Sequence, residues 1–334
     1  MAVTGTGTQA DPYIVHNYDE FMSTNGMLSS GDIYIQFFEN ERPNQTINCN
    51  DYGSEFKWHR YGSVGGLFTN VHINLNGCTI KNFLIADGES MFPGEYAQYR
   101  QSIAFYISNG SFRNVFLGSP TSKFCDDYVH FQDVSISFNF VGATGIVFNG
   151  AGNMTFDNCA MYLVGSTLQG AVIKKAVLTD TDIELHIADQ NEKTIFAGDA
   201  GSNNYCTFQD CRIQGKIGGT PISHAETGHF SIFGCATPAN STDYGKICKL
   251  INCVVDVDLT DSYANFHGAA FYIYKASGAT DMNTNVLCKS HYPSAGQTSG
   301  YSYPTSWNYM SHEQIRNGEY LNSKGFTVVE GVGG

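Results

Sequence analysis

Charged residues are scarce in this chain, and long helix-forming runs are nearly absent. Asp, Glu, Lys and Arg make up 15% of the 334 residues, so uncharged polar residues and Tyr must cover most of the surface. Stretches rich in Ala, Leu, Glu and Lys, which favour helices, hardly occur. No apolar run approaches the roughly 18 residues that a transmembrane helix requires. The sequence therefore predicts little helix and no membrane-spanning segment.

Basic residues are also few. The chain has 18 Lys and Arg against 31 Asp and Glu, a formal net charge of −13. A nucleic-acid surface needs a basic stripe that displaces counterions from phosphates, and the tightest basic pair here is Lys174-Lys175. We therefore expect no nucleic-acid partner. The opening MAVTGTGTQADPY has neither a basic start nor an apolar stretch, so we expect no signal peptide and synthesis in a cytoplasm.

The 10 cysteines are spread along the chain and form no Cys-x-x-Cys pair. Disulfides, metal ligands and small buried side chains are the three alternatives. The spacing disfavours a metal site, and the expected lack of a signal peptide disfavours disulfides. The pattern favours small buried side chains, with no metal and no cofactor.

Strand-forming residues and a repeated short string dominate what is present. Thr, Val, Ile, Phe and Tyr are common, which favours strands. The string FDNCAMYL at 156–163 has relatives throughout the chain, with Asn, Asp or Gly before Cys or Val. Most copies lie about 20 to 25 residues apart, the length of one coil of a short-stranded solenoid. The Asn, Asp or Gly position falls at Gly77, Asn114, Asp133, Asn158, Asp180, Asp210, Gly234 and Asn252.

The repeated string predicts one corner of a parallel β-helix. Asn, Asp and Gly tolerate the left-handed backbone conformation that a sharp bend requires. The residue after the bend, and every second residue from it, then faces the interior. A slim interior favours small apolar side chains at this point. Stacked coils are predicted to align one internal ladder of Cys78, Val115, Val134, Cys159, Cys211 and Cys253.

Three segments resemble the GLUG-type right-handed parallel β-helix proteins, which occur as bacteriophage virion appendages and tailspikes and as bacterial surface proteins. GGLFTNVHINLNGCTIKNF at 65–83 resembles their coils. GTGTQADPYIVHNYDEFM at 5–22 resembles their opening, and SHEQIRNGEYLNSKGFTV at 311–328 resembles their end. The resemblance implies a right-handed parallel β-helix, and it implies this fold more strongly than any function.

The expected fold class is all-β, a solenoid with short helical caps at both ends. Open strand edges at the ends of a β-helix invite aggregation, so helices near 18–28 and 311–321 are predicted to cover them. The expected division is an N-terminal cap over 1–30, the parallel β-helix over 31–275, and a Tyr/Ser/Gly-rich loop with a C-terminal cap over 276–334.

An active site would require clustered carboxylates, since β-helices also host polysaccharide lyases and hydrolases. Asp126-Asp127 is an acidic pair, but it precedes Thr179-Asp180 and no Gly-His-Gly occurs, so the polygalacturonase order is not met. Alternating acidic residues are typical of a solvated strand face, which favours a structural role. For an enzyme, the predicted catalytic residues on one strand face are Asp180, Asp182 and Glu184, with Asp210 or Asp157 as partner acid.

The sequence favours a non-enzymatic structural protein of a bacteriophage virion: a tail or head appendage, a spike or a decoration subunit. We expect it in the virion, after synthesis in the host cytoplasm and release by lysis. Expected partners are other virion proteins, further copies of the chain (a trimer is favoured) and host surface glycans. The alternatives are a tailspike-type polysaccharide lyase or hydrolase and a bacterial surface adhesin. Tyr gives a large contact area at low entropic cost, so the predicted interface residues are Tyr292, Tyr301, Tyr303, Trp307 and Tyr309.

Overall fold

The computed structural model describes most of the chain up to residue 198 and shorter segments after it. The described residues are 3–62, 68–97, 101–119, 121–140, 147–168, 172–190, 195–198, 206–217, 231–235, 248–259, 269–271, 284–289, 307–310, 314 and 317–323. Strands dominate these ranges, and they belong to one 23-stranded sheet.

The strands are short in most coils, but several continue through a bend and join two faces of the molecule. They are β1 (Tyr13–Val15), β2 (Gly31–Phe37), β3 (Thr46–Asn48), β4 (Lys57–Trp58), β5 (Phe68–Asn74), β6 (Thr79–Ile85), β7 (Ser90–Phe92), β8 (Glu95–Ala97), β9 (Gln101–Leu117), β10 (Lys123–Asp126), β11 (Val129–Phe140), β12 (Phe148–Asp157), β13 (Ala160–Leu168), β14 (Ile173–Thr179), β15 (Asp182–Gln190), β16 (Phe196–Gly198), β17 (Cys206–Gln209), β18 (Arg212–Ile217), β19 (Ser231–Cys235), β20 (Cys248–Leu259), β21 (Ala269–Phe271), β22 (Thr284–Lys289) and β23 (Trp307–Met310).

Two short helices lie near the ends of the described chain. They are α1 (Tyr18–Ser23) and α2 (Gly318–Ser323), and 3₁₀ turns run over Thr24–Met27 and Cys49–Tyr52. In the described ranges, no helix has the length and apolar character needed to span a bilayer.

The pairing of strands arranges the sheet into three rows. The first row contains β2, β5, β9, β11, β12, β14, β17 and β20. The second row begins at β3 and β6, continues through the later parts of β9 and β11, and then follows β13, β15, β18, the later part of β20, β22 and β23. The third row contains β7, β10, the starts of β12 and β14, and then β16, β19 and β21.

Neighbouring strands in all three rows run parallel. Among the described strands, antiparallel pairing is confined to β8 with β9 and to an isolated bridge between Thr4 and Ile14 of β1. Each turn of the chain adds a strand to successive rows, so a residue meets its counterpart in the next coil rather than its sequence neighbours. The fold is therefore an all-β, parallel, solenoid-like fold, which confirms the predicted fold class at this level.

The corner between the first and second rows is a left-handed bend. The backbone φ angle is 55° at Asp133, 50° at Asn158, 47° at Asp180, 54° at Asp210 and 52° at Asn252. Asn and Asp are the side chains that best tolerate this region, because a short polar group can hydrogen-bond locally. The prediction that these positions bend the chain is confirmed.

Side-chain amides connect these corners from coil to coil. Asn158 Nδ2 donates to Asp133 Oδ1 at 2.5 Å, and Asn252 Nδ2 donates to Asp210 Oδ1 at 3.0 Å. Asn285 Nδ2 extends the series by donating to Asn252 Oδ1 at 3.0 Å. A second amide ladder lies within the second row and consists of Asn48, Asn82, Asn114 and Asn139.

The interior column behind the corner differs from the predicted alignment in one coil. Val134 pairs with Gly110 in the preceding coil. Val115 instead pairs with Phe83 and Phe138, five residues further along its strand. Gly110 thus takes the place that was predicted for Val115.

The reason for this difference is that β9 contains two left-handed residues. Both Asn109 and Asn114 have positive φ, 59° and 56°, so the pattern alone does not say which of them forms the corner. A Cβ at Gly110 would lie 2.4 Å from Leu75 Cβ. The preceding coil therefore leaves no room for the Cys or Val that follows the bend elsewhere.

The residue after the corner also donates a hydrogen bond across the bend. Cys211 Sγ lies 3.2 Å from the carbonyl oxygen of Gln209 and 3.4 Å from that of Leu178 in the preceding coil. Cys253 repeats both contacts in the next coil, and Thr181 makes them with its hydroxyl. Burial raises the pKa of the Cys211 thiol, so the thiol stays protonated and remains a donor.

Replacing Cys211 tests whether this hydrogen bond stabilises the fold. We expect Cys211→Val to lower the free energy of unfolding by about 1 kcal/mol, since volume is nearly kept but the donor is lost. Cys211→Thr should cost less, because Thr181 occupies the same position one coil earlier. Urea denaturation of both variants measures the difference, and a Val variant as stable as the Thr variant would show that the thiol serves only to fill space.

Candidate functional site

Four aromatic rings form a stack on the outer face of the first row. Tyr34, His72, Tyr106 and His130 occupy the same register position in β2, β5, β9 and β11. Successive ring centroids are 4.4, 4.8 and 4.8 Å apart, and the ring planes differ by 8°, 14° and 18°. We call these four residues the ring stack.

The geometry of the ring stack follows from the spacing of the coils. Parallel strands lie about 4.8 Å apart, so rings at equivalent outward positions meet face to face. Their faces cover one another, which leaves the ring edges toward solvent. Tyr106 is 38% exposed, and the edges carry hydroxyl and ring-nitrogen groups that donate and accept hydrogen bonds.

A column of polar side chains runs beside the ring stack. Its members are two residues further along each strand and pair with one another from coil to coil. We call this set the polar column, and it consists of Gln36, Asn74, Ser108, Gln132 and Asp157.

The ring stack and the polar column line an open groove of about 540 Å³. Gln9 and Pro12 from the N-terminal segment lie at one end, and Thr155 and Asp157 lie at the other. Among the lining residues that the structure describes there is no Lys or Arg, and Asp157 is the single Asp or Glu. Because the lining side chains stand on paired strands, the groove is positioned by the rigid part of the fold.

Internal hydrogen bonds occupy part of the polar column. Gln36 Nε2 donates to the carbonyl oxygen of Phe38 and to Asn40 Oδ1, both at 2.9 Å. Asn74 Oδ1 accepts from Asn109 Nδ2 at 3.2 Å. Within the described residues no hydrogen bond involves the side chain of Gln132, so its amide is available to a ligand.

His130 ends the ring stack and is held in place by a neighbour. Its Nδ1 lies 2.9 Å from Thr155 Oγ1. Burial lowers the pKa of the His130 imidazole, and the nearby Asp127 carboxylate offsets part of this effect. His130 is therefore neutral at pH 7.

The three predicted catalytic carboxylates do not share one face. Asp180 lies at the left-handed corner before β15, so it is not part of the strand that carries Asp182 and Glu184. Asp182 pairs in register with Arg212, and Glu184 Oε1 lies 2.5 Å from His186 Nε2. The prediction of one face is wrong for Asp180 because the bend interrupts the alternation of side chains.

Asp180 instead lies close to the two predicted partner acids. Partial desolvation raises the pKa of the Asp180 carboxyl, and the negative charges of Asp210 and Asp157 raise it further. The structure therefore brings Asp157, Asp180 and Asp210 together, whereas Asp182 and Glu184 have basic neighbours.

The other acidic pair has structural partners. Asp126 Oδ1 accepts from Lys123 Nζ at 2.8 Å. Asp127 binds Asn153 twice, through the backbone N–H at 3.0 Å and the side-chain amide at 3.1 Å. Among the residues that the structure describes, no group of His, Cys, Asp and Glu side chains is arranged to hold a metal ion.

The cysteines of the predicted ladder all lie in the interior as free thiols. Cys78, Cys159, Cys211 and Cys253 are buried, as are Val115 and Val134. Burial raises the pKa of Cys78 and of Cys159 to about 12.

The predicted interface falls mostly outside the described residues. Tyr292, Tyr301 and Tyr303 lie outside them. Trp307 and Tyr309 lie in β23, where they pair in register with Val286 and Cys288 of β22.

The ring stack was not predicted from the sequence, although a signal for it exists. The first four strands of the first row, β2, β5, β9 and β11, each carry an aromatic residue, an apolar residue and a polar residue shortly before the bend. The four triplets are Tyr34-Ile35-Gln36, His72-Ile73-Asn74, Tyr106-Ile107-Ser108 and His130-Phe131-Gln132. Aligning the coils on these triplets would have revealed the stack.

Comparison with known proteins gives a distant structural likeness. No family model matches the chain, and no curated protein matches it. The chain aligns with the crystal structure of a candidate immunoglobulin A1 protease from Bacteroides ovatus. The alignment covers 96% of this chain and 89% of that chain, with a TM-score of 0.48 and 13% sequence identity. At that level of similarity two chains need not share a role.

The pKa of His130 predicts a pH dependence of stability. The folded state favours the neutral His130 ring. The contribution of this ring to the free energy of unfolding is therefore complete above about pH 6.5, the usual histidine pKa, and is lost as pH falls toward the lower pKa of the folded state. We expect the His130 NMR resonances to titrate with a midpoint below 6.5, and the stability difference between wild type and His130→Gln to shrink from pH 7.5 to pH 5. A midpoint at or above 6.5 would contradict the assigned burial effect.

Proposed function

We propose that the chain is a non-enzymatic structural protein of a bacteriophage virion, and that it contacts host surface glycans through the groove beside the ring stack. It would serve as a tail or head appendage, a spike or a decoration subunit. Its partners would be other virion proteins and further copies of itself, in a trimer. In this proposal it is made in the host cytoplasm and released by lysis.

The proposed architecture is a right-handed parallel β-helix with helical caps. Crossover connections between parallel strands of one sheet are almost always right-handed. At the N-terminal end, α1 buries Phe21 against Tyr61, with ring centroids 4.2 Å apart, and Tyr18 against Trp58, at 4.9 Å. These contacts support a helical cap over residues 1–30, followed by the β-helix over 31–275 and a second cap region over 276–334.

The groove is the observation that carries the glycan proposal. Sugars present many hydroxyl groups that both donate and accept hydrogen bonds, and the groove presents amide, hydroxyl and ring-nitrogen groups with the same capacity. It extends over five coils, so it suits a chain-like ligand better than a compact one. The rigid strands hold these groups in place before binding, which limits the entropy lost on association.

Binding to host surfaces tests the proposed function. We expect the purified protein to bind capsular or cell-wall polysaccharide from a candidate host, and Tyr106→Ala to weaken binding at least tenfold because the ring stack loses its third member. Tyr162→Ala is the matched control, since Tyr162 is 44% exposed on the second row, away from the groove. Equal binding by both variants, or binding to no host surface, would refute the proposed contact.

A second candidate function is glycan cleavage, favoured by the raised pKa of Asp180 between Asp157 and Asp210. A carboxyl whose pKa is raised beside a second carboxylate is a pairing that glycosidases use. Of these three acids only Asp157 lines the groove, so we place this function second.

We expect no cleavage when the protein is incubated with the same polysaccharides and the products are assayed for new reducing ends or unsaturated sugars. The decisive variants are Asp180→Asn, which removes the clustered acid, and Asp182→Asn, which removes a carboxylate next to Arg212. Product release that is lost in Asp180→Asn and retained in Asp182→Asn would establish the enzymatic function instead.

A further inference from the structure

We infer that the groove takes a neutral oligosaccharide that lies along the ring stack, and that it discriminates against acidic glycans. This inference rests on the proposed function and specifies its ligand class. It follows from the charge of the lining, from the orientation of the rings and from the length of the groove.

The charge of the lining disfavours an acidic ligand. Uronate, phosphate or sialate groups need a cationic or multiply hydrogen-bonding partner when they leave water, and none of the described residues that line the groove is Lys or Arg. Asp157 closes one end of the groove, and Asp32 accepts from Asn70 Nδ2 at 2.7 Å next to His72. The whole chain has a net charge of −13, so the long-range field also repels anions.

Histidine does not supply the missing positive charge at neutral pH where His130 ends the ring stack. The pKa of His130 is lowered by burial, so this ring binds as a neutral group. An acidic sugar placed beside His130 would face the Asp157 carboxylate without compensation. A neutral sugar hydroxyl can donate to that carboxylate, and it can donate to or accept from the imidazole.

The orientation of the rings determines how a sugar makes contact. Because the ring faces are covered by one another, a pyranose cannot lie flat on an inner member of the stack. Contact must come through the ring edges and the polar column. Tyr106, Ser108 and Gln132 are adjacent across two coils, and the Gln132 amide supplies two donors and an acceptor.

The length of the groove favours several linked sugars. The four coils of the ring stack span three strand spacings, about 14 Å. A single pyranose ring is much shorter than this, so it would engage only one or two coils. An extended neutral chain parallel to the solenoid axis meets an equivalent set of polar groups at each coil.

Matched glycans test this inference at pH 7.5. The probes are neutral glucan, galactan and N-acetylglucosamine oligomers, polyglucuronate and polygalacturonate oligomers, and the carboxyl-reduced forms of the two acidic series. Titration calorimetry measures the affinity of the protein for each oligomer series. We expect at least one neutral or carboxyl-reduced series to bind, and its acidic counterpart to bind with at least tenfold lower affinity. An acidic series that binds as tightly as its reduced form overturns the inference but leaves the proposed glycan contact intact.

Two substitutions at Gln132 make the test sharper. Gln132→Lys adds a cation to the lining, and we expect it to strengthen binding of the acidic oligomers about tenfold while weakening the neutral ones. Gln132→Met keeps the length without charge or hydrogen bonding, and it should weaken both. If Gln132→Lys leaves the preference for neutral glycans unchanged, the charge of the lining does not set the specificity and the inference fails.

The ring edges are tested with Tyr106→Phe, which removes one hydroxyl and keeps the stack. We expect a loss of about three- to tenfold in affinity for the neutral oligomer, the usual effect of one hydrogen bond. Unchanged affinity would contradict edge contact. If no oligomer of either class binds, both this inference and the proposed glycan contact fail.

Discussion

The left-handed corner between the first and second rows is the constraint on which the rest of the structure depends. Each bend holds an Asn or Asp in a conformation that most residues avoid, and amides connect the bends, as from Asn158 to Asp133. The next residue, such as Cys211, then donates back across the bend. Side chains alternate with a period of two along a strand, so the bend sets the phase of the strands it joins. A slip by one residue would turn every core side chain outward.

The same alternation of inward and outward side chains produces the groove. In the first row, Ile35, Ile73, Ile107 and Phe131 face the interior and are buried, and the residues on either side of each of them face outward. Those outward residues are the ring stack and the polar column. The rings stack because strands in a parallel row are separated by about one ring-to-ring contact distance. Core and candidate site are thus two faces of one register, so the strand pairing that forms the core also positions the groove.

The corner also explains why carboxylates cluster beside the groove. The bends from Asp133 to Asn252 all carry Asn or Asp, and successive bends lie one strand spacing apart. Where Asp alternates with Asn, as in Asp210 and Asn252, an amide donates to the carboxylate and disperses its charge. Asp180 and Asp210 follow one another with Asp157 nearby. Desolvation raises the pKa of Asp180, and the charges of Asp210 and Asp157 raise it further. This cluster follows from the demands of the bend, so it does not by itself require a catalytic role.

Local backbone preference and strand parity are short-range properties, and for this reason the sequence alone determined the bends at positions such as Asn158 and Asp210 and the burial of the residues after them. Coil length is not a short-range property, because each loop takes up a different number of residues. Only the tertiary structure therefore decided that Gly110 rather than Val115 stands in the interior column, and that four distant aromatic residues meet as the ring stack. The separation of Asp180 from its neighbours on β15 has a related cause. A bend ends the alternation of a strand, so residues two apart in sequence no longer share a face.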